Sequence, residues 1–253
     1  MSKLPPEHKF VDFSDYGRPV ARAIANSLKN TPCTPIHVTT AFIVSGLLAV
    51  WSIVYGYYWA AAFFLIAKSI LDAADGELAR VKGTPSYTGR YYDSIADILL
   101  NLLFLLTIWY VTSGSLWLTI LAFVGIQLQG TLYNYYYVIL RNKHNGDTTS
   151  RVFETESPVA FSGEKQATVD RFYWTYNFLY KVFDKAIYLM DRPAVHSSKF
   201  PKWFMSAVST FGLGFQLLII SVMLVLGLVQ YIIPFFIAYT ALIFVYILIR
   251  RLL

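Results

Sequence analysis

Apolar residues run along this chain in long stretches separated by short polar breaks. Six such stretches stand out, at 36–55, 57–81, 89–112, 115–140, 204–229 and 231–249. Each has roughly the twenty residues that a helix needs to cross the hydrocarbon core of a bilayer. The pattern predicts an all-α integral membrane protein with six transmembrane helices. A different period precedes them. Val20, Ile24 and Leu28 recur every four residues within 13–30, against Arg18, Arg22 and Lys29. That spacing predicts an N-terminal amphipathic helix lying on the membrane surface, with a solvated helix packed on protein as the alternative. Pro5 and Pro6 mark 1–12 as a loose tail. Pro32 and Pro35 separate the surface helix from the first span.

One long polar stretch, 141–203, interrupts the apolar pattern. Its first part reads as a loop. Its second part, 169–190, is aromatic-rich and is expected to form a helix resting on the membrane or on the body of the protein. No repeat and no Gly/Ser linker divides the chain. Residues 1–253 are therefore expected to form a single membrane domain, with 1–33 as tail and juxtamembrane helix and 141–203 as a polar cytoplasmic connection.

Composition agrees with a bilayer setting. The chain is 56% hydrophobic and 14% charged, whereas soluble domains average about a quarter charged residues. The formal net charge of +6 fits contact with anionic headgroups rather than with nucleic acid. Single Cys33 excludes an intramolecular disulfide and a cysteine-ligated metal cluster. The first ten residues lack an apolar core, so no signal peptide is expected. Lysine and arginine are absent from the breaks near 56, 113 and 230, and lie at the opposite helix ends and in the connection, Lys68 excepted. By the positive-inside rule, both termini face the cytoplasm. The membrane is then the plasma membrane of a bacterium or archaeon, or the endoplasmic reticulum of a eukaryote.

Residues 71–97 break the apolar pattern with acids at fixed intervals: Asp72, Asp75, Asp93 and Asp97. On a helix, Asp72, Asp75, Gly76 and Ala79 share one face; Gly89, Asp93 and Asp97 share a face of the next. Four carboxylates beside hydrocarbon repel one another and are costly to ionise. A divalent cation resolves this, and all-oxygen ligands suit a hard ion, Mg²⁺, Mn²⁺ or Ca²⁺. Lys68, one turn before Asp72, either neutralises the cluster, binds a substrate phosphate, or snorkels. Two other readings compete: acids that only pair with Arg80, Arg90 and Lys68, and an ion-coupled transporter, which predicts acids spread near the bilayer midplane.

The pattern D-x-x-D-G-x-x-A-R, eight residues, then G-x-x-x-D-x-x-x-D resembles the signature of the class-I CDP-alcohol phosphotransferases, also called phosphatidyltransferases. Asp72, Asp75, Gly76, Ala79, Arg80, Gly89, Asp93 and Asp97 fill every position. The resemblance implies a phospholipid-biosynthesis enzyme in which an alcohol attacks a CDP-linked pyrophosphate and CMP leaves. It implies Mg²⁺ or Mn²⁺ held by Asp72, Asp75 and Asp93, and Asp97 as general base that also touches metal. It places the nucleotide on Asp72, Gly76, Ala79, Arg80, Gly89 and Asp93, and suggests a homodimer. Lys68, Arg90, Asn101 and Asn134 are candidates for acceptor or phosphate binding. Relatives often carry P-N-x-[IV]-T before the first span; here Pro35, Ile36, His37, Val38 and Thr39 stand there, without the asparagine. The run Asp93-Ser94-Ile95-Ala96-Asp97 is similar to the D-S-x-A-D of phosphatidylserine synthases. CDP-diacylglycerol plus serine is thus the favoured pair. Transfer to inositol phosphate or glycerol phosphate, or of an ethanolamine or choline headgroup from its CDP form to a lipid alcohol, stays open.

Overall fold

The computed structural model describes residues 4–144, 156–197 and 199–253, and every regular element among them is helical. A short α1, Arg18–Leu28, precedes four long helices: α2 Pro35–Val54, α3 Tyr58–Lys82, α4 Tyr87–Thr112 and α5 Leu116–Lys143. Then come α6 Gln166–Met190, α7 Lys202–Val208, α8 Leu213–Val225, α9 Ile232–Thr240 and α10 Leu242–Leu252. Of the loop expected in the first part of 141–203, residues 145–155 lie outside the described residues.

Local sequence sets the helix ends. The Thr34 hydroxyl accepts from the His37 N–H at 3.3 Å, and the Thr34 N–H donates to His37 Nδ1 at 3.0 Å. This reciprocal cap opens α2 and gives His37 a structural place. Gly83 ends α3 at φ 64°, a left-handed conformation that suits glycine. Ser86 opens α4 by accepting the Gly89 N–H at 2.8 Å. The α3–α4 turn is therefore short and fixed at both ends, which holds the two halves of the aspartate motif side by side.

By length and apolarity, α2, α4, α5 and the α9–α10 stretch Val229–Leu252 qualify as membrane-crossing helices. Joining Lys202–Phe211 to Leu213–Val225 gives a fifth, bent by 55°. α3 has comparable length but falls short because it carries Lys68 and the motif charges. The stretch 204–229, expected as one helix, breaks at Gly212. The cause is close approach by the N-terminal segment. A Cβ on Gly212 would lie 2.3 Å from Ser14 Cβ, and one on Gly214 would lie 2.0 Å from the Ser14 carbonyl oxygen. The Phe13 N–H also donates to Ser209 Oγ at 2.9 Å. The 3-10 turn Phe13–Asp15 is thus wedged into the bend.

Two apolar clusters hold the bundle. Phe42, Leu65, Phe104, Ile108, Ile126, Leu217 and Phe236 join α2, α3, α4, α5, α8 and α9. Leu132, Tyr136, Ile187, Phe204, Phe211 and Ile247 join α5, α6, α7 and α10. α1 packs Ala21 and Ala25 on Ala74 and Leu78 of α3, while Val20 is exposed. α6 begins on α4, where Tyr173 and Tyr176 meet Tyr91. It ends on α5, where buried Asp191, just beyond its last turn, accepts the Tyr136 hydroxyl at 2.6 Å and the Arg250 Nε–H at 2.6 Å. Its opposite face leaves Trp174, Phe178 and Val182 exposed.

Candidate functional site

A cleft of about 1680 Å³ opens between α2, α3, α4, α5, α6 and α8. α3 and α4 place the acids on its wall. Carboxylate oxygens of Asp72, Asp75 and Asp93 all lie within 4.8 Å of one another. Asp75 is fixed by Thr39, whose hydroxyl donates to Asp75 Oδ2 at 2.5 Å. Asp93 Oδ1 is buried without a hydrogen-bond donor among the described residues. An orphaned carboxylate oxygen facing two other carboxylates suits a hard cation, so the residues fit a divalent ion.

Asp97 is placed differently. It lies outside that trio, and its Oδ1 accepts from Lys68 Nζ. Lys68 also donates to Asp72 Oδ2 at 2.7 Å, and its ammonium sits 4.4 Å from the centre of the Phe42 ring. With its side chain 1% exposed, Lys68 lies beneath the acids and does not reach water.

The other motif positions line the cleft. Gly76, Ala79, Arg80 and Gly89 all face it, as do Arg90, Asn101 and Asn134. A Cβ on Gly76 would be 3.6 Å from both terminal nitrogens of Arg80, so this guanidinium lies against the glycine. Arg80 Nη2 is 3.4 Å from Glu77 Oε1. That same carboxylate takes Arg18 at 2.7 Å and Arg22 at 3.6 Å. Glu77 thereby ties α1 to the motif helix. Arg90 lies over the Tyr91 and Tyr176 rings, 4.9 and 5.7 Å from their centres. Ile36, standing where relatives have asparagine, also lines the cleft.

Sequence reasoning missed several groups. Glu164 reaches back over the start of α4. It accepts from the Ser86 hydroxyl at 2.8 Å, the Tyr87 N–H at 3.1 Å, the Thr88 N–H at 2.8 Å and the Phe161 N–H at 3.2 Å. Burial alone raises this carboxyl, but those bonds prevail and hold it below the ordinary glutamate range. Phe161 stacks on Tyr87, ring centres 4.6 Å apart. Segment 157–165 therefore caps α4 one turn from Gly89. On α6, the Tyr180 hydroxyl donates to the Ser94 carbonyl at 2.7 Å. Asp184 faces the same cleft; burial pushes its carboxyl up to about 7, against the opposing pull of Arg90. The aromatic richness of 169–190 was the one signal for this wall.

The arrangement sets three convergent carboxylates, a separately anchored fourth and an arginine around one water-accessible cleft. That suits a pyrophosphate held by metal and arginine beside a proton acceptor. The family model for CDP-alcohol phosphatidyltransferase matches residues 33–161, which run from just before α2 through α5 into the connection. No curated protein gives a significant match to the chain. The acids gather at one end of one helix pair, in the segment that the family model covers. The chain belongs to the CDP-alcohol phosphatidyltransferase family, transferases that move a substituted phosphate group from a CDP-alcohol to an alcohol.

Proposed function

We propose that this protein is a metal-dependent membrane enzyme that transfers the phosphatidyl group of CDP-diacylglycerol to serine and releases CMP. The observation that carries the reading is the convergence of Asp72, Asp75 and Asp93 within 4.8 Å on the cleft wall. Asp72, Asp75 and Asp93 would hold Mg²⁺ or Mn²⁺. Bound there, the ion supplies charge neutralisation and polarisation of the pyrophosphate oxygens. Arg80 offers a planar guanidinium to a phosphate. Gly76, Ala79 and Gly89 let the nucleotide approach the helix backbones. The acceptor hydroxyl oxygen bonds to the phosphorus that carries diacylglycerol. The bond from that phosphorus to CMP breaks, its electron pair leaves on CMP, and the hydroxyl proton passes to Asp97. Holding both substrates in one cleft supplies the positional part of catalysis.

Six crossings, with α3 as the second, are supported by the length of α3 and by its packing along α2. The charge asymmetry of the breaks supports cytoplasmic termini and a cytoplasmic cleft. α1 is read as a juxtamembrane helix whose exposed face meets headgroups, and 1–253 as one catalytic domain. Homodimer formation rests on the family resemblance alone. Serine rests on the Asp93–Asp97 run. The test is CMP release by purified protein from CDP-diacylglycerol, CDP-ethanolamine and CDP-choline, each offered serine, inositol phosphate, glycerol phosphate and diacylglycerol. CMP release with CDP-diacylglycerol and serine is expected; release only with another pair replaces the acceptor assignment.

A further inference from the structure

Among the described residues, Lys68 is the charged side chain buried directly beneath the acids, and the metal reading above does not use it. A lysine away from water is retained at such depth only where opposite charge compensates it. Here two carboxylates do so from two helices: Asp72 of α3 at 2.7 Å, and Asp97 of α4. The remaining side of the ammonium faces the Phe42 ring at 4.4 Å. Lys68 has no surface on the cleft, so it is placed neither to grip a substrate phosphate nor to snorkel.

Asp72 belongs to two groupings. Its carboxylate meets Asp75 and Asp93 on one side and shares the Lys68 ammonium with Asp97 on the other. Two-metal phosphoryl-transfer sites keep their ions about 3.5–4 Å apart, bridged by shared carboxylates. With four acids in one hairpin, the place for a second ion is between Asp72 and Asp97. The Lys68 ammonium fills it. We propose that Lys68 is a built-in second cation: the chain binds one divalent ion, at Asp72, Asp75 and Asp93, and Lys68 takes the position of the other. Lys68 is then a positioning residue. It holds Asp97 by Oδ1 and leaves Oδ2 for the acceptor hydroxyl.

This inference rests on the metal reading of the site, and the test separates the two. Purified full-length protein in detergent is titrated with Mn²⁺, and bound ion is counted by electron paramagnetic resonance and by elemental analysis. Wild type is expected to bind one Mn²⁺ per chain, with the spectrum of an isolated ion. Lys68→Met, which removes the ammonium but keeps an unbranched apolar stem, is expected to bind two, with the signature of an exchange-coupled pair. Adding Asp97→Asn to Lys68→Met should return the count to one. Lys68→Arg, which keeps the charge, should bind one ion and covers the case in which Lys68→Met does not fold. Two coupled ions in wild type, or a single ion in folded Lys68→Met, overturns the role of Lys68. No bound ion in wild type at saturating Mn²⁺ overturns the metal reading itself.

Discussion

Asp97→Asn separates proton transfer from binding. The amide keeps the shape of the carboxylate, and its oxygen still accepts from the Lys68 ammonium that holds Asp97 Oδ1. What disappears is a proton acceptor, and general base catalysis is worth about 10²–10⁴ in rate. At about 1.36 kcal/mol per decade, that is roughly 3–5 kcal/mol on the barrier. Binding should suffer far less, because the three carboxylates that lie within 4.8 Å of one another are Asp72, Asp75 and Asp93. Loss of one anion beside Lys68 weakens cation attraction, and an effect under about tenfold (1.4 kcal/mol) is expected on donor KM and Mn²⁺ affinity. Asp75→Asn is the contrast. It removes charge from the trio and disturbs the carboxylate held by Thr39 at 2.5 Å, so metal and donor binding should fail together with turnover. The assay is CMP release, giving kcat and KM, beside Mn²⁺ binding for both variants. If Asp97→Asn loses donor and metal binding as completely as Asp75→Asn, Asp97 is a ligand and the base assignment is wrong.

Four further outcomes are expected. Chelation should abolish turnover and added Mg²⁺ or Mn²⁺ restore it; full activity in buffer verified metal-free refutes the ligand assignment. Glu164→Ala removes three acceptor contacts at the start of α4 and a fourth within its own segment and should cost about 1–2 kcal/mol of stability in a thermal melt, with a raised donor KM; an unchanged melt and KM counts against the cap as an organiser of the cleft. Asp191→Asn breaks a fully buried pair with Arg250 and should destabilise by about 3–5 kcal/mol, read from denaturant unfolding in detergent, with partial recovery in Asp191→Asn/Arg250→Met. Asp184 titrates near 7 when folded, above the ordinary carboxyl value of 3.8. The folded chain therefore holds a proton that the unfolded chain has lost between those values, and stability falls as pH rises through that window. Asp184→Asn should flatten this slope between pH 4 and 7, and an identical slope in both proteins refutes the assignment.

How much of this was legible in the sequence depends on the range of each interaction. Asp72, Asp75, Asp93 and Asp97 were readable because a helix turns fixed spacing into a shared face, and a short turn with Gly83 brings the two faces together. The cap at Thr34 and His37 is equally local, three residues apart. Glu164 is not: it closes on Ser86 from 78 residues away, and a single acid in a polar connection carries no period to mark it. The break at Gly212 was hidden for a related reason. Apolarity runs through 204–229, and only the contact of Gly212 and Gly214 with Ser14, distant in sequence, makes the bend necessary. α3 carries too many charges to read as an apolar span; which of them face the cleft and which pair with one another is something a hydropathy average cannot register.

The family match ends at residue 161, yet the cleft does not. The acids of α3 and α4, on which the proposed reaction rests, lie within the matched segment. One wall of the cleft is built by Tyr176, Tyr180 and Asp184 of α6, which lies beyond it. α6 is not loosely appended. It is bonded to the motif helix by Tyr180 at the Ser94 carbonyl, next to Asp93 and within one turn of Asp97, and its far end is locked to α5 and α10 through Asp191. On the reading proposed above, a wall joined so directly to the Asp93–Asp97 turn stands beside the acceptor. The motif residues sit on α3 and α4, while part of the cleft lining belongs to α6, where the shared motif says nothing. This is why the reaction class was readable from a handful of spaced residues, whereas the acceptor has to be settled by offering it.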